Sequence, residues 1–230
     1  VDEERKALGR RAGVKEAAAS IRLAGAAGIQ NLSLDLMLGI PGQTAESLRR
    51  SIDFCTQAGV CHISAYLLKI EEGTPFAQRR ASLVLPNEDT VCDLYEQACE
   101  ELEAAGFQQY EISNFARHGF ESRHNLKYWN AEEYLGLGAS AHSFLGGKRF
   151  FYPRDRDAFL RGEGPIQDGE GGSFEEYAML RMRLADGLIE SLARQRYGCG
   201  IPPYMRESAR RMEQYGLTSQ DEDGIRLTRK

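Results

Sequence analysis

The chain has 230 residues, of which 42% are hydrophobic and 27% are charged, and its formal net charge is −5. This composition is ordinary for a globular protein that can bury a sizeable core. The negative balance argues against nucleic acid as a partner, because the phosphate backbone calls for a basic patch. No stretch approaches the ~20 apolar residues of a membrane helix, so no integral membrane segment is expected.

The cysteines and the two ends of the chain indicate the cellular compartment of the protein and whether the chain is complete. The five cysteines form neither CxxC nor CxxxCxxC, and the first residues show no signal-peptide core. Both features favour reduced thiols and a cytoplasmic location. Cys55, Cys92 and Cys99 lie in helical apolar patterns and are expected in the core. The start lacks Met and the last residues break off an apolar alternation, so we expect a piece of a longer protein.

The first part of the chain predicts alternating helices and strands. An Ala-rich helix over 13–28 precedes an apolar strand over 32–38. Thr44 is a good cap for a helix over 45–58, and a second strand follows over 62–68. This alternation is typical of a parallel sheet or barrel.

The rest of the chain is less regular. A long charged loop over 69–86 precedes a helix over 88–105 and a strand over 108–115. Residues 117–147 are rich in Gly, His and aromatic residues and show weak periodicity. The Gly-rich stretch 162–172 predicts a linker, because it combines turn formers with one apolar residue. Beyond it we expect a small helical domain with a short strand pair.

Asp35 is the first candidate for a functional residue. It lies within the predicted strand that precedes the loop Gly39–Gln43. A carboxylate near the carboxyl end of a barrel strand can grip ribose hydroxyls of a ligand. An aspartate on a strand edge that faces water is equally consistent with the pattern, so both interpretations stay open.

The segment Ser122–Trp129, SRHNLKYW, is the second candidate. It brings His124, Asn125 and the only Trp of the chain within six residues. A neutral imidazole can bind haem iron while aromatic side chains stack on a flat ring. By composition alone, a surface turn with aromatic anchors is the better interpretation, because a lone His is more often structural.

The run Gly136–Ser143, GLGASAHS, is the third candidate. Its small residues let the backbone approach a ligand closely, but it does not match GxGxxG. His142 is either a ligand or a wall residue, and the pattern favours the wall. His62 and His118 are isolated and are interpreted as structural.

Together these segments resemble one family, the radical-SAM haem chaperones related to oxygen-independent coproporphyrinogen III oxidases. The resemblance rests on seven blocks that occur in the family's order, from about residue 8 to residue 228: LGRRAG, LDLMLGIPGQT, HISAYLLKIEEGTPF, YEISNFA, HNLKYW, EYLGLGASAHSF and EEYAMLRMRLADGL. HNxxYW is the most specific block, because the corresponding region of the true oxidases lacks the Trp.

The resemblance implies an α/β fold, a partial radical-SAM (β/α) barrel with a small mainly helical C-terminal domain. It places the C-terminal part of the barrel at residues 1–150, a linker at 151–172 and the C-terminal domain at 173–230. It also implies haem, S-adenosylmethionine and a [4Fe-4S] cluster as cofactors, and haem-acceptor proteins as partners. A homodimer is left open.

Residue roles follow from the same resemblance. Arg10 and Asp35 match residues that contact S-adenosylmethionine, and His142 matches a position whose backbone approaches its adenosyl group. His124 matches the histidine implied as the haem-iron ligand, and the motif is completed by Asn125, Tyr128 and Trp129. For Asp35 and His124 the resemblance therefore favours function over the structural interpretation.

One departure from the family pattern stands out. The CxxxCxxC that holds the family's [4Fe-4S] cluster is absent from the 230 residues. We therefore expect the chain by itself neither to hold the cluster nor to cleave S-adenosylmethionine. Two alternatives stay open, a coproporphyrinogen III oxidase and a degenerate scaffold without a cluster. A cluster motif encoded upstream of Val1 would exclude the scaffold.

Overall fold

The computed structural model describes residues 1–229, which divide into two compact units, Val1–Glu121 and a second that begins at Ser122. The predicted boundaries at residues 150 and 172 differ from this division. The reason is that strands from 142 to 170 pair into one sheet, which keeps these residues within the second unit. Among residues 1–229 no helix is both long enough and apolar enough to cross a membrane.

The first unit contains five helices and four strands. Its helices are α1 (Asp2–Ala7), α2 (Val14–Ala26), α3 (Ala45–Gln57), α4 (Pro75–Gln78) and α5 (Glu88–Ala104). Its strands are β1 (Ser33–Leu38), β2 (His62–Leu67), β3 (Gln108–Glu111) and β4 (Asn114–Ala116). The strands form one sheet in the order β1-β2-β4-β3. The predicted loop 69–86 contains α4 and a short 3₁₀ turn.

Strands β1 and β2 and the helix between them form a parallel β-α-β unit, as the alternation predicts. Helix α3 begins where Thr44 and Ser47 cap each other: the Ser47 amide donates to the Thr44 hydroxyl at 3.2 Å, and the Thr44 amide donates to the Ser47 hydroxyl at 2.9 Å. This reciprocal cap satisfies two amides that the helix cannot pair internally. The predicted helices and strands up to the end of α5 are present in the predicted order, and α1 and α4 occur in addition to them.

The stretch 108–115, predicted as one strand, is a hairpin instead. Strands β3 and β4 pair antiparallel, and β4 also pairs antiparallel with β2. The turn falls at Ile112 and Ser113, where the Ser113 amide donates to the Glu111 carboxylate at 2.8 Å. The prediction of a single strand was therefore wrong. It failed because this turn is held by a side-chain contact and lacks the Gly or Asn that usually marks a hairpin turn in a sequence.

The core of the first unit lies between one face of this sheet and helices α3 and α5. On β1, Leu36 and Leu38 belong to it and the partly buried Leu34 packs against it. Ile63 and Ala65 of β2 are fully buried in the same cluster. Because side chains alternate along a strand, the intervening residues of β1 and β2 lie on the opposite face of the sheet.

The second unit contains five helices and six strands among its described residues. Its helices are α6 (Arg123–Trp129), α7 (Arg156–Leu160), α8 (Phe174–Arg181), α9 (Glu190–Tyr197) and α10 (Pro203–Glu213). Its strands are β5 (His142–Leu145), β6 (Lys148–Phe151), β7 (Ile166–Glu170), β8 (Leu188–Ile189), β9 (Thr218–Gln220) and β10 (Gly224–Leu227). They form two three-stranded sheets, β5-β6-β7 and β8-β10-β9.

Two predictions for this part of the chain need correction. The stretch 162–172, predicted as a linker, contains β7, which pairs antiparallel with β6. The stretch 117–147, for which weak periodicity allowed no prediction of elements, contains α6 and β5. The strand pair expected near the end is a three-stranded sheet, because β8 joins β10 on the side away from β9. Every residue of β7 is exposed, so its apolar signal is too weak to be recognised in the sequence.

Candidate functional site

The face of the first sheet that points away from α3 and α5 is polar. Asp35 of β1 is paired in register with Ser64 of β2, and Ser64 with Asn114 of β4. Asn114 is in turn paired with Glu111 of β3. These four side chains therefore form one row across the sheet, which we call the polar row.

Asp35 lies at the edge of the sheet and its side chain is exposed. Of the two interpretations left open by the pattern, this placement matches an aspartate that faces water. Its part in ligand binding stays a prediction, because an exposed carboxylate is also free to accept hydrogen bonds from a ligand.

The inner members of the polar row were not identified from the sequence. Glu111 and Asn114 are both buried, and the Asn114 amide nitrogen donates to the Glu111 carboxylate. The Asn114 Oδ1 atom is buried without a hydrogen-bond partner among residues 1–229. A buried amide oxygen without a donor is costly, and the YEISN sequence gives no sign of it because the hairpin was not predicted.

His62 joins the polar face as a structural residue. Its Nδ1 lies 2.7 Å from the Ser33 hydroxyl and its Nε2 lies 2.9 Å from the Tyr110 hydroxyl. Burial lowers the pKa of His62, and the nearby carboxylates, with Asp35 first among them, oppose that shift only in part. A neutral imidazole has one donor and one acceptor nitrogen, so it can bridge the two hydroxyls.

Arg10 follows α1, and its side chain is exposed. Its amide donates to the Arg5 carbonyl at 2.8 Å, which closes a turn after the helix. A guanidinium that is exposed keeps its donors available to a carboxylate. The role predicted for Arg10 therefore stays a prediction that its placement leaves feasible.

In the second unit, helix α6 carries the HNLKYW segment, which was interpreted by composition as a surface turn. Ser122 caps it, and its hydroxyl accepts from the Asn125 amide at 3.3 Å. His124 and Tyr128 lie four residues apart and therefore share one face of the helix. The Tyr128 hydroxyl lies 2.6 Å from His124 Nε2, and the two rings meet edge to face.

Trp129 ends α6. The Arg183 guanidinium lies 4.2 Å from the centre of its ring, a cation–π contact. The Trp129 Nε1 atom is buried and has no hydrogen-bond partner among residues 1–229. Indole nitrogens usually find an acceptor when buried, so this nitrogen is an unsatisfied buried donor.

Two arginines hold the C-terminal end of α6. Arg181 is buried and donates to Asn130 Oδ1 at 2.7 Å and to the Gly187 carbonyl at 2.8 Å. Arg196 donates to the carbonyls of Asn130 and Ala131. Cations at this end complement the helix dipole and satisfy carbonyls that the helix leaves open.

The small residues of 136–143 have a local structural reason. A Cβ atom at Gly136 would lie 2.2 Å from the His142 carbonyl oxygen, and the Gly136 amide donates to the Ser143 hydroxyl at 3.0 Å. The close backbone approach predicted for this run therefore occurs within the chain itself. Whether the backbone also approaches a ligand stays a prediction.

An aromatic-lined cavity of about 360 Å³ lies in the second unit. It is lined by Tyr128, Trp129, Ala131, Glu132, Tyr134, His142, Arg149 and Leu180. The structure thus brings His142, as a wall residue, together with two residues of the HNLKYW segment. Tyr134 and Arg149 were not identified from the sequence, because only tertiary pairing brings them here: both are paired with Phe144 of β5, Tyr134 through an isolated bridge and Arg149 from β6.

The cysteines form neither a disulfide nor a metal site. All five are free thiols, and residues 1–229 hold no group of three His, Cys, Asp or Glu side chains that could bind a metal. Cys55 and Cys99 are buried as predicted, and Cys61 is buried as well. The prediction of a core position for Cys92 was wrong, because Cys92 lies on the exposed side of α5.

We expect alkylation to distinguish these thiols. Iodoacetamide added to the native protein at mildly alkaline pH should modify Cys92 and Cys199, which are exposed. Burial raises the pKa of Cys55 to about 12, so this thiol should stay unmodified because the thiolate is the nucleophile. Peptide mass mapping before and after unfolding in urea measures both sets. Rapid modification of Cys55 in the native protein would contradict the buried position.

Comparison with known proteins defines first the fold class of the chain and then its protein family. Over the whole chain the fold superposes on coproporphyrinogen III oxidase HemN from Escherichia coli, described as a radical-SAM enzyme, with a TM-score of 0.77. The superposition covers 58% of that chain at 19% identity, which establishes the fold alone. The α/β fold predicted from the sequence, with part of a radical-SAM barrel, is confirmed at this level. No family model matches the chain.

Several curated relatives carry the name haem chaperone HemW. The chain is 40% identical to the one from Mycobacterium tuberculosis over 75% of its own length and 47% of the relative's. It is 32% identical to the one from Bacillus subtilis over 99% of its length and 62% of the relative's. The chain is a HemW-like family member. It spans between about half and three fifths of these relatives, and the resemblance predicted from the seven blocks is confirmed.

Proposed function

We propose that the chain is part of a haem chaperone, which binds haem at the HNLKYW segment and delivers it to haem-requiring acceptor proteins. The observation that carries this proposal is the cavity in which Tyr128 and Trp129 of that segment meet His142. The name of the curated relatives supports it. The oxidase alternative draws only on the fold likeness to HemN, and the scaffold alternative has no observation in its favour.

The residues around the cavity fit haem as cargo. Tyr128, Trp129 and Tyr134 offer aromatic faces to a flat macrocycle, and Leu180 offers an apolar one. The buried Trp129 Nε1 atom is a donor still to be satisfied. Arg149 places a guanidinium at the cavity wall, where it is paired with Glu176, so a propionate carboxylate would bind there in competition with Glu176.

His124 is the proposed iron ligand. Its Nε2 is engaged by the Tyr128 hydroxyl at 2.6 Å, so iron binding at this nitrogen requires that hydrogen bond to break. Its side chain is exposed, which leaves the imidazole accessible. A histidine in this role donates the lone pair of a neutral imidazole nitrogen to the iron.

S-adenosylmethionine is proposed as a resident cofactor, held in the first unit by Arg10 and Asp35. The exposed guanidinium of Arg10 suits a carboxylate, and the exposed carboxylate of Asp35 suits ribose hydroxyls. Together with a [4Fe-4S] cluster, S-adenosylmethionine would act as a structural or regulatory cofactor of the full-length protein. The described residues do not fit the cluster, because no three candidate ligands among them lie together.

The remaining proposals concern the acceptor proteins, the cellular location and the oligomeric state. The acceptor proteins would include any haemoprotein that requires delivery, and membrane-bound acceptors are compatible with this role. A cytoplasmic location is proposed from the five free thiols, which suit a reducing compartment. Whether two copies associate is a question for the solution mass of the protein.

Replacing His124 by alanine tests the haem site. We expect the His124→Ala variant to bind haem at least about tenfold more weakly, because losing a ligand costs no less than losing a residue that orients one. Titration of the full chain with haem, followed at the Soret band, measures both affinity and ligation. The matched control is His118→Ala, an exposed histidine in the first unit, which should bind haem as the unmodified chain does. Unchanged affinity and spectrum in His124→Ala would refute the assignment.

A further inference from the structure

The resemblance gives a role to the backbone of His142 but none to its side chain. His142 is the first residue of β5, its side chain is exposed, and its ring stacks on that of Phe151, the residue paired with it on β6. The two ring centres are 5.0 Å apart and the planes differ by 21°. Stacking against a fixed strand residue limits the orientations of the imidazole, so its nitrogens are held at the cavity wall.

The cavity connects His142 to the HNLKYW segment. Tyr128 lines the cavity together with His142, and the same Tyr128 holds His124 through its hydroxyl. Tyr134 packs edge to face on Tyr128 at 4.6 Å and lines the cavity as well. Tyr128 therefore contacts the imidazole of His124 and shares the cavity wall with His142, and His124 itself does not line the cavity.

On β5, the contacts that fix the preceding loop are separate from the imidazole of His142. The backbone of His142 approaches Gly136, and Ser143 on the next position is buried and accepts from the Gly136 amide. These contacts fix the loop. The imidazole of His142 is not needed for them, because it points to the other face of the strand.

We propose that the His142 side chain is a second imidazole ligand for the haem iron, supplied from the cavity wall. This inference rests on the proposed function. In this step a lone pair of the neutral imidazole forms the iron–nitrogen bond and takes the place of a water on the metal. The iron keeps its oxidation state, and no other bond is made or broken in the protein.

Haem titration of three variants of the full chain tests the proposal. The variants are His142→Ala, His142→Phe and the double variant with His124→Ala. With two imidazoles on ferric iron, the unmodified chain should give a low-spin spectrum. Both single variants at His142 should give a high-spin spectrum, and added imidazole should restore the low-spin form. The double variant should lose affinity beyond His124→Ala, by about tenfold again.

His142→Phe separates ligation from wall packing. Phenylalanine keeps a ring to stack on Phe151 but has no nitrogen, so a wall role predicts that it behaves like the unmodified chain. That result would overturn the proposal, as would a His142→Ala spectrum identical to that of the unmodified chain. Failure of the proposed function gives a different pattern, in which neither His124→Ala nor any variant at His142 changes affinity or spectrum. Far-UV circular dichroism of each variant verifies its fold.

Discussion

Replacing Gly187 by alanine is expected to destabilise the second unit by about 3 kcal/mol or more. Gly187 has φ +67°, and a Cβ atom there would lie 2.1 Å from the Ile225 carbonyl oxygen and 2.7 Å from the Cβ of Arg226. Both obstacles belong to β10, whose residue Ile225 pairs with Leu188 of β8. The new methyl group can be accommodated only if these two strands separate.

The control for this prediction is Gly198→Ala. Gly198 has nearly the same backbone conformation, with φ +71°, but a Cβ atom there would meet nothing within 4 Å. It ends α9 in the left-handed conformation, so alanine should cost only about 1–2 kcal/mol of backbone strain. The chain has one Trp, and its fluorescence during urea unfolding reports on the second unit. Equal losses in the two variants would show that β8 and β10 do not approach as described.

The effect of Gly187→Ala should extend to the candidate site. The Gly187 carbonyl accepts from the buried Arg181, which also donates to Asn130 beyond the end of α6. A displaced carbonyl would leave a buried guanidinium with one fewer acceptor, which costs free energy. Arg181 connects the strand pair to the helix that carries His124 and Trp129, so a change at Gly187 alters how that helix is held.

The sequence predicted the β-α-β part of the fold well because its local signals are strong. Thr44 and Asn87 cap the helices that follow them, and glycines stand where those helices end. The hairpin at 108–116 could not be predicted in the same way, because its turn depends on the Glu111 side chain rather than on a turn-forming pair of residues. Strand β7 was missed because it has no buried side chain.

The candidate site was only partly accessible from the sequence. Spacing alone brings His124 and Tyr128 together on one helix, and the resemblance to relatives selected them. The contacts that complete the cavity are tertiary: Arg149 and His142 arrive from β6 and β5. Asn114 joins Asp35 only through the register of three strands. Such contacts leave no periodic trace in the sequence.

Replacing Phe115 by alanine is expected to cost about 3–5 kcal/mol of stability in the first unit. Phe115 is fully buried in the core between the sheet and its helices. In register it is paired with Ile63 of β2 and with Gln109 of β3. Removing the ring leaves a cavity that the central strand β2, paired on both sides, cannot close without losing its own hydrogen bonds.

The same variant tests the alternation on which the polar row depends. Asn114 precedes Phe115 and lies on the opposite face, so a core position for Phe115 places Asn114 beside Ser64. Phe120→Ala is the matched control: this ring is 43% exposed, and its removal should cost less than about 1 kcal/mol. Urea unfolding followed by far-UV circular dichroism measures both variants. If Phe115→Ala proved as mild as Phe120→Ala, the register of β4 would be shifted by one residue, and the polar row would turn towards the helices.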